Sequence, residues 1–487
     1  MNPAGPAPRR PPFWLLPVFV ALLLAPTRWA ALTLIAGSIA LTSLRAAGAA
    51  RKRRSAVHRS TGEALVLGSA HNGEQLLLTD QELSAHGLIL GASGAGKSTT
   101  LLTILTDRIR RGLPVVAIDL KGSPAFAREL AAAAQSAGRR FLVWTPDGPS
   151  YWNPLQHGNA TELKDKLIGA ERFTEPHYQR AAERYVQTVL QVLERARPGR
   201  PSTLDEVVRL MDPQRLPAML RGLDKGFVER VQDYRTGLTP DQLSAIRGLG
   251  TRLAIISESH TGQYLSPARA DPGRAVDLRR GLSGDEIVLF SLNSSTYGKL
   301  SAQLGTLVVQ DLIAASGHRL GRRDSGADPD AARQATVGID EFSALGADHV
   351  VSLLARARGA GVSVMLATQE LADLDRAAPG LRDQVLGNTA VKIAHRQDVP
   401  ASAQTIAQIA GTTRVWEHTF TTGNPFLDGF RSGRGTRREV EQFVIHPNEI
   451  KRLQTGQVVV ISKLPSATAR AIRVSPPRRQ ERGPELG

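Results

Sequence analysis

Hydrophobic positions fall along this chain in several distinct rhythms, and each rhythm predicts a different kind of element. Near the start, two uncharged runs, 11–27 and 29–44, are separated only by Arg28. A bilayer-spanning helix takes ~20 apolar residues, with ~17 the lower limit. Each run is short for one span and the pair is too long for one, so 1–54 reads as a hairpin of two transmembrane helices. Short, nearly continuous apolar runs follow at 87–90, 114–118, 140–145, 287–292, 335–339, 361–367 and 457–461. That pattern predicts strands covered on both faces, as in a parallel sheet. Apolar residues at Leu101, Leu102, Ile104, Leu105 and Ile109 predict a helix over 99–111, and 301–315 repeats the spacing.

From 161 to about 280 the strand pattern stops. Stretches 178–196, 203–211, 217–223 and 241–257 all show three-four spacing. The expectation is an α/β core with a parallel-type central sheet, in two parts (55–158 and 281–474), interrupted by an all-α insertion over 159–280. Residues 321–334 read as a charged surface loop, 412–438 as an irregular loop rich in Arg, 457–461 as the last strand and 475–487 as a disordered tail.

Composition narrows the chemistry. With 41% hydrophobic residues in 487, the chain can bury a core and form more than one folded unit. It has no Cys, which excludes disulfides, thiolate nucleophiles and cysteine-ligated metals, and its 11 His show no metal-type spacing. The net charge is +16, but only 10 of the 61 basic residues are Lys, so GC-rich codon usage accounts for part of the excess. Nucleic acid or an anionic membrane surface is permitted as partner rather than required. Arg9-Arg10 precede the first apolar run, and Arg45 and Arg51-Lys52-Arg53-Arg54 follow the second. The positive-inside bias therefore puts both flanks in the cytoplasm.

The strongest local signal follows the apolar run 87–90: Gly91-Ala92-Ser93-Gly94-Ala95-Gly96-Lys97-Ser98, a complete G-x-x-x-x-G-K-S that opens the helix at Thr99. Small residues let backbone N–H groups turn inward around phosphates, and the helix N-terminus adds positive potential. ATP is the expected substrate, with Lys97 on its β and γ phosphates and Ser98 on Mg²⁺. The run 335–339 ends in Asp340-Glu341, which supplies a second Mg²⁺ ligand and a base for the attacking water, although paired carboxylates also open solvated loops. The run 361–367 ends in Thr368-Gln369. A polar side chain there faces the nucleotide site of a parallel sheet, and Gln369 reads as a sensor of the γ-phosphate or the water, or as a loop glutamine bonded to backbone. A signal peptide has an N-terminus of similar type but would export this ATP-using body, which favours the anchor.

In this order these parts resemble the type IV coupling proteins, membrane-anchored ATPases of conjugation and type IV secretion within the FtsK/HerA-like P-loop superfamily. The resemblance runs from the hairpin to about residue 474 and is carried by the 91–98 loop, Ile118-Asp119-Leu120-Lys121-Gly122, Trp152-Asn153-Pro154-Leu155, Leu289-Phe290-Ser291-Leu292, Ile339-Asp340-Glu341-Phe342, Ala367-Thr368-Gln369 and 397–411. It implies a RecA-like core, a homo-hexameric ring with nucleotide between subunits, and a helical domain that receives substrate. It further implies an inner-membrane, multi-pass protein with its ATPase body in the cytoplasm. Its substrate is expected to be DNA, single-stranded with attached protein, delivered to type IV secretion channel components. By position before Gln369, Arg358 matches the family's arginine finger, with Arg356 the neighbouring alternative. A plain helix-end arginine is the other reading. Two other functions fit the motifs less well: an FtsK-type double-stranded DNA translocase, and a membrane scaffold that switches with nucleotide without hydrolysing it.

Overall fold

The computed structural model describes residues 64–171, 173–266, 271–326, 333–420 and 435–477. The expected hairpin over 1–54 and most of the expected tail lie outside the described residues. Among the described residues, no helix is long and apolar enough to cross a membrane.

The chain opens with strands β1 (Ala64–Ser69) and β2 (Gln75–Thr79), a short helix α1 (Asp80–Ser84), β3 (Gly87–Leu90), helix α2 (Lys97–Arg110), β4 (Val115–Asp119), α3 (Pro124–Ser136), β5 (Arg140–Trp144) and β6 (Tyr151–Trp152). Six helices follow: α4 (Ala160–Gly169), α5 (Pro176–Ala196), α6 (Leu204–Leu210), α7 (Leu216–Met219), α8 (Lys225–Thr236) and α9 (Pro240–Ser257). Next come β7 (Ala275–Val276), α10 (Leu278–Ser283), β8 (Glu286–Ser291), α11 (Ser294–Tyr297), α12 (Lys299–Asp324), β9 (Ala335–Asp340), α13 (Ala347–Ala357) and β10 (Val362–Thr368). The last elements are α14 (Leu371–Ala377), α15 (Leu381–Asn388), β11 (Val391–Ala394), α16 (Pro400–Ala410), β12 (Thr412–Phe420), β13 (Gly435–Phe443), α17 (Pro447–Arg452), β14 (Gln457–Ser462) and β15 (Thr468–Val474).

One 11-stranded sheet, in the order β2-β1-β15-β14-β11-β3-β10-β9-β4-β8-β5, forms the frame. From β11 to β5 neighbouring strands are parallel. Their side chains alternate between two cores: Val116 and Ile118 with one, Val115 and Ala117 with the other. Each run is therefore apolar throughout, because both faces are covered. Helices α2 and α3 bury Leu101, Leu105, Phe126 and Leu130 on one face, and α12 and α13 bury Leu304, Leu312, Leu353 and Leu354 on the other. Gly338 in β9 is required by this packing, since a Cβ there would stand 2.8 Å from Leu105 and 3.2 Å from Leu101.

The two-residue pair β6/β7 brings the ends of the helical stretch together. Trp152 Nε1 donates to Asp311 on α12 at 3.0 Å, and Lys166 on α4 donates to the other Asp311 oxygen at 2.7 Å and to Pro154 O at 2.7 Å. The Trp-Asn-Pro-Leu stretch thus serves as the buried joint between sheet and helices.

The central sheet is parallel as expected, and β14, β15 and β1 extend it antiparallel on one side. Several expectations are corrected. The run 457–461 is not the last strand, because β15 pairs with β14 and returns to β1, its exposed face hiding the apolar pattern. Among the described residues, 412–420 and 435–443 form the two-stranded ribbon β12/β13 instead of an irregular loop, and it buries too little to leave an apolar alternation. Helix α12 continues to Asp324 into the expected 321–334 loop, and α8 was not legible because it buries only Phe227 and Val231.

Candidate nucleotide site

Strand register builds the site. Leu90 of β3 lies level with Thr368 of β10 and Ala394 of β11, Ala367 of β10 level with Asp340 of β9, and Asp340 level with Asp119 of β4. The residues at these strand ends and just beyond them therefore meet along one edge: the 91–96 loop, Gln369, Asp340 with Glu341, Asp119 and His395. β10, which leads directly into Gln369, separates the glycine-loop strand from the acidic strand, so Gln369 is positioned between them.

The glycine loop has the backbone that its sequence requires. Gly94 (φ 74°) and Gly96 (φ 113°) are in the left-handed region, and a Cβ on Gly91 would stand 2.5 Å from the His395 Cβ. Gly91 N–H donates to Gln369 O at 3.1 Å, Ala92 N–H to Arg396 O at 2.9 Å and Gly456 N–H to Ala95 O at 3.0 Å. The loop is thus anchored to three other segments. His395 lies under it, its Nε2 2.9 Å from the Thr100 hydroxyl. Lys97 is buried, and its ammonium donates to Gly91 O at 2.7 Å and Ala92 O at 3.3 Å. Burial pulls its pKa below the ordinary lysine value, with the Lys121 charge adding to the effect and Glu341 and Asp340 opposing it.

Ser98 Oγ donates to Asp340 Oδ2 at 2.7 Å, and Asp340 Oδ1 is buried with no hydrogen-bond partner. A buried carboxylate oxygen without a donor, beside a hydroxyl, suits a hard cation. Asp119 accepts from Lys121 N–H at 2.9 Å and Ser123 N–H at 2.6 Å, and burial raises its pKa against these bonds.

Glu341 is one of three non-glycine residues at positive φ (60°) among the described residues. Such strain persists where surrounding structure over-determines it. Its Oε1 accepts from Lys121 Nζ at 2.6 Å and from Gln369 Nε2 at 3.1 Å. The Gln369 side chain therefore bonds Glu341 instead of loop backbone. The sequence motifs assign no role to Lys121; the signal is a cation two residues past Asp119, the polar end of β4. Arg358 and Arg356 are not in this cluster. Both are exposed at the end of α13, which runs from the Asp340 edge of β9 back to the start of β10, so they lie at the opposite edge of the sheet.

Residues 334–455, which include Asp340, Glu341, Arg358 and Gln369, match the family described as the TraM recognition site of TraD and TraG. No curated protein sequence matches the chain. Among solved structures, the unbound bacterial conjugative coupling protein TrwB lacking its first 70 residues is similar at 15% identity (TM-score 0.61, covering 85% of this chain and 91% of that one). TrwB in complex with ADP and Mg²⁺ is similar at 15% identity (TM-score 0.60, 88% and 93%). VirB4 of Thermoanaerobacter pseudethanolicus is similar at 15% identity (TM-score 0.54, 85% and 96%). In fold, in the matched segment and in the order of its motifs, the chain resembles the conjugative coupling protein TrwB.

Proposed function

We propose that this chain is a membrane-anchored, ATP-hydrolysing translocase that delivers DNA, or DNA with attached protein, to a type IV secretion or conjugation channel, and that it works as a homo-hexamer with its ATPase body in the cytoplasm. The observation that carries the hydrolytic part is the clamped Glu341. A carboxylate held by Lys121 and Gln369, beside the Ser98–Asp340 pair, is the arrangement that a general base for water needs.

In this reading the N–H groups of residues 91–99 cradle the phosphates, and Lys97 leaves its two carbonyl partners for the β and γ phosphates. Ser98 and Asp340 hold Mg²⁺, which neutralises charge on the phosphate oxygens. Glu341 accepts the proton of the attacking water while Gln369 orients it. Arg358, at the opposite edge from its own glycine loop, serves the site of a neighbouring subunit, where a finger is worth ~10³–10⁵ in rate. ADP with Mg²⁺ in TrwB supports the choice of ATP and Mg²⁺ here.

Nucleotide binding and steady-state hydrolysis by the full chain in detergent, with and without single- and double-stranded DNA, test this reading. Hydrolysis should rise with DNA; Lys97→Ala should lose both binding and hydrolysis; Glu341→Gln should bind ATP without hydrolysing it. Wild-type protein that binds ATP and never turns it over, with any DNA, overturns the motor and leaves a nucleotide-switch scaffold.

A further inference from the structure

His86 immediately precedes β3, the strand that feeds the glycine loop, and nothing in the chemistry above uses it. It is buried, and it is another of the three non-glycine residues at positive φ (63°). Both ring nitrogens are engaged by different elements. Val364 N–H of β10 donates to Nδ1 at 3.0 Å, and Nε2 stands 2.9 Å from Leu354 O of α13. Because Nδ1 accepts, the ring proton is on Nε2 and donates to Leu354 O. Burial holds the imidazole neutral, with a pKa lowered to about 4, as this tautomer requires.

Leu354 lies in the last turn of α13, where carbonyls run out of partners within the helix. His86 thus ties that turn to the root of the glycine-loop strand. Arg358 begins the turn that follows, and its charge is near enough to depress His86 further. That turn is also held from its other side: Arg319 Nε of α12 donates to Ala360 O at 3.1 Å and Arg323 to Gly359 O at 3.4 Å.

We infer that His86 is a positioning residue for Arg358, linking the strand that carries a subunit's own glycine loop to the arginine that the subunit offers to its neighbour. This rests on the proposed trans role of Arg358. It gives the ring a route by which nucleotide in one site shifts the finger presented to the next, through β3, His86 and the end of α13.

Two substitutions separate the two bonds. In His86→Asn the amide oxygen can replace Nδ1 as acceptor for Val364, and Asn tolerates positive φ, but the link to Leu354 is lost. In His86→Gln the amide nitrogen can replace Nε2 as donor. The expected result is at least a tenfold fall in kcat for His86→Asn, with KM for ATP within twofold of wild type, and near wild-type kcat for His86→Gln. Mixing His86→Asn subunits with Lys97→Ala subunits, whose His86 and Arg358 are intact, should restore hydrolysis. Mixing them with Arg358→Ala subunits should not. Full activity in His86→Asn, or a loss that Lys97→Ala subunits cannot restore, overturns the inference while leaving the finger intact. Full activity in Arg358→Ala overturns the finger and this inference with it.

Discussion

At the scale of single residues, function rests on side chains whose partners lie far away in sequence. The loop 91–98 was legible because its spacing is local and every position is prescribed by phosphate geometry. Lys121 was not, since its value comes from Glu341 at 2.6 Å, across β9 and β4. His86 was equally hidden, because its Leu354 partner is 268 positions away. Glu341→Gln should lower kcat by ~10²–10⁴, the usual span for a general base, with ATP affinity retained. Lys121→Met removes one of the two groups that hold Glu341; a kcat reduced about tenfold, with little change in KM, is the expected steady-state result. A Lys121→Met enzyme with normal kcat would reduce that ion pair to a surface contact.

At the scale of elements, packing sets which changes the fold tolerates. Ala at Gly338 places a Cβ against the Leu105 and Leu101 methyls, which must repack between α2 and β9; overpacking of this kind costs about 1–3 kcal/mol. A denaturant midpoint unchanged by Gly338→Ala would contradict that packing. Asp311→Ala strands Lys166, which is buried, and frees Trp152 Nε1, so it should cost about 3–5 kcal/mol. The buried histidines His86 and His395, each lowered to about 4 chiefly by burial, give a pH dependence with a definite sign. Between pH 6.5 and 4 the unfolded chain takes up protons that the folded chain refuses. Their contribution is therefore complete above pH 6.5 and is lost as pH falls, by at most about 1.4 kcal/mol per pH unit for each. Urea midpoints at pH 7 and pH 5 measure this, and His395→Asn should flatten the difference. The strands of the parallel core were readable because burial on both faces leaves an unbroken apolar run. The β12/β13 ribbon and β15 were not, because exposed faces keep polar residues and erase the period.

At the scale of the whole molecule, register along one sheet edge gathers the glycine loop, the acidic pair and Gln369, while the chain's path through α13 places Arg358 at the other edge. One copy therefore carries its glycine loop at one end of the strands and Arg358 at the other, so the proposed finger serves only a neighbouring copy. The proposed homo-hexamer satisfies that arrangement, and hydrolysis that rises steeply with protein concentration is its simplest consequence. The most direct test mixes Arg358→Ala, which keeps its own nucleotide site, with Lys97→Ala, which keeps its finger, and reads ATP hydrolysis with DNA present. Each variant alone should be inactive, and the mixture should recover turnover. A mixture that stays inactive, or an Arg358→Ala protein that is fully active alone, would contradict the proposed trans role of Arg358.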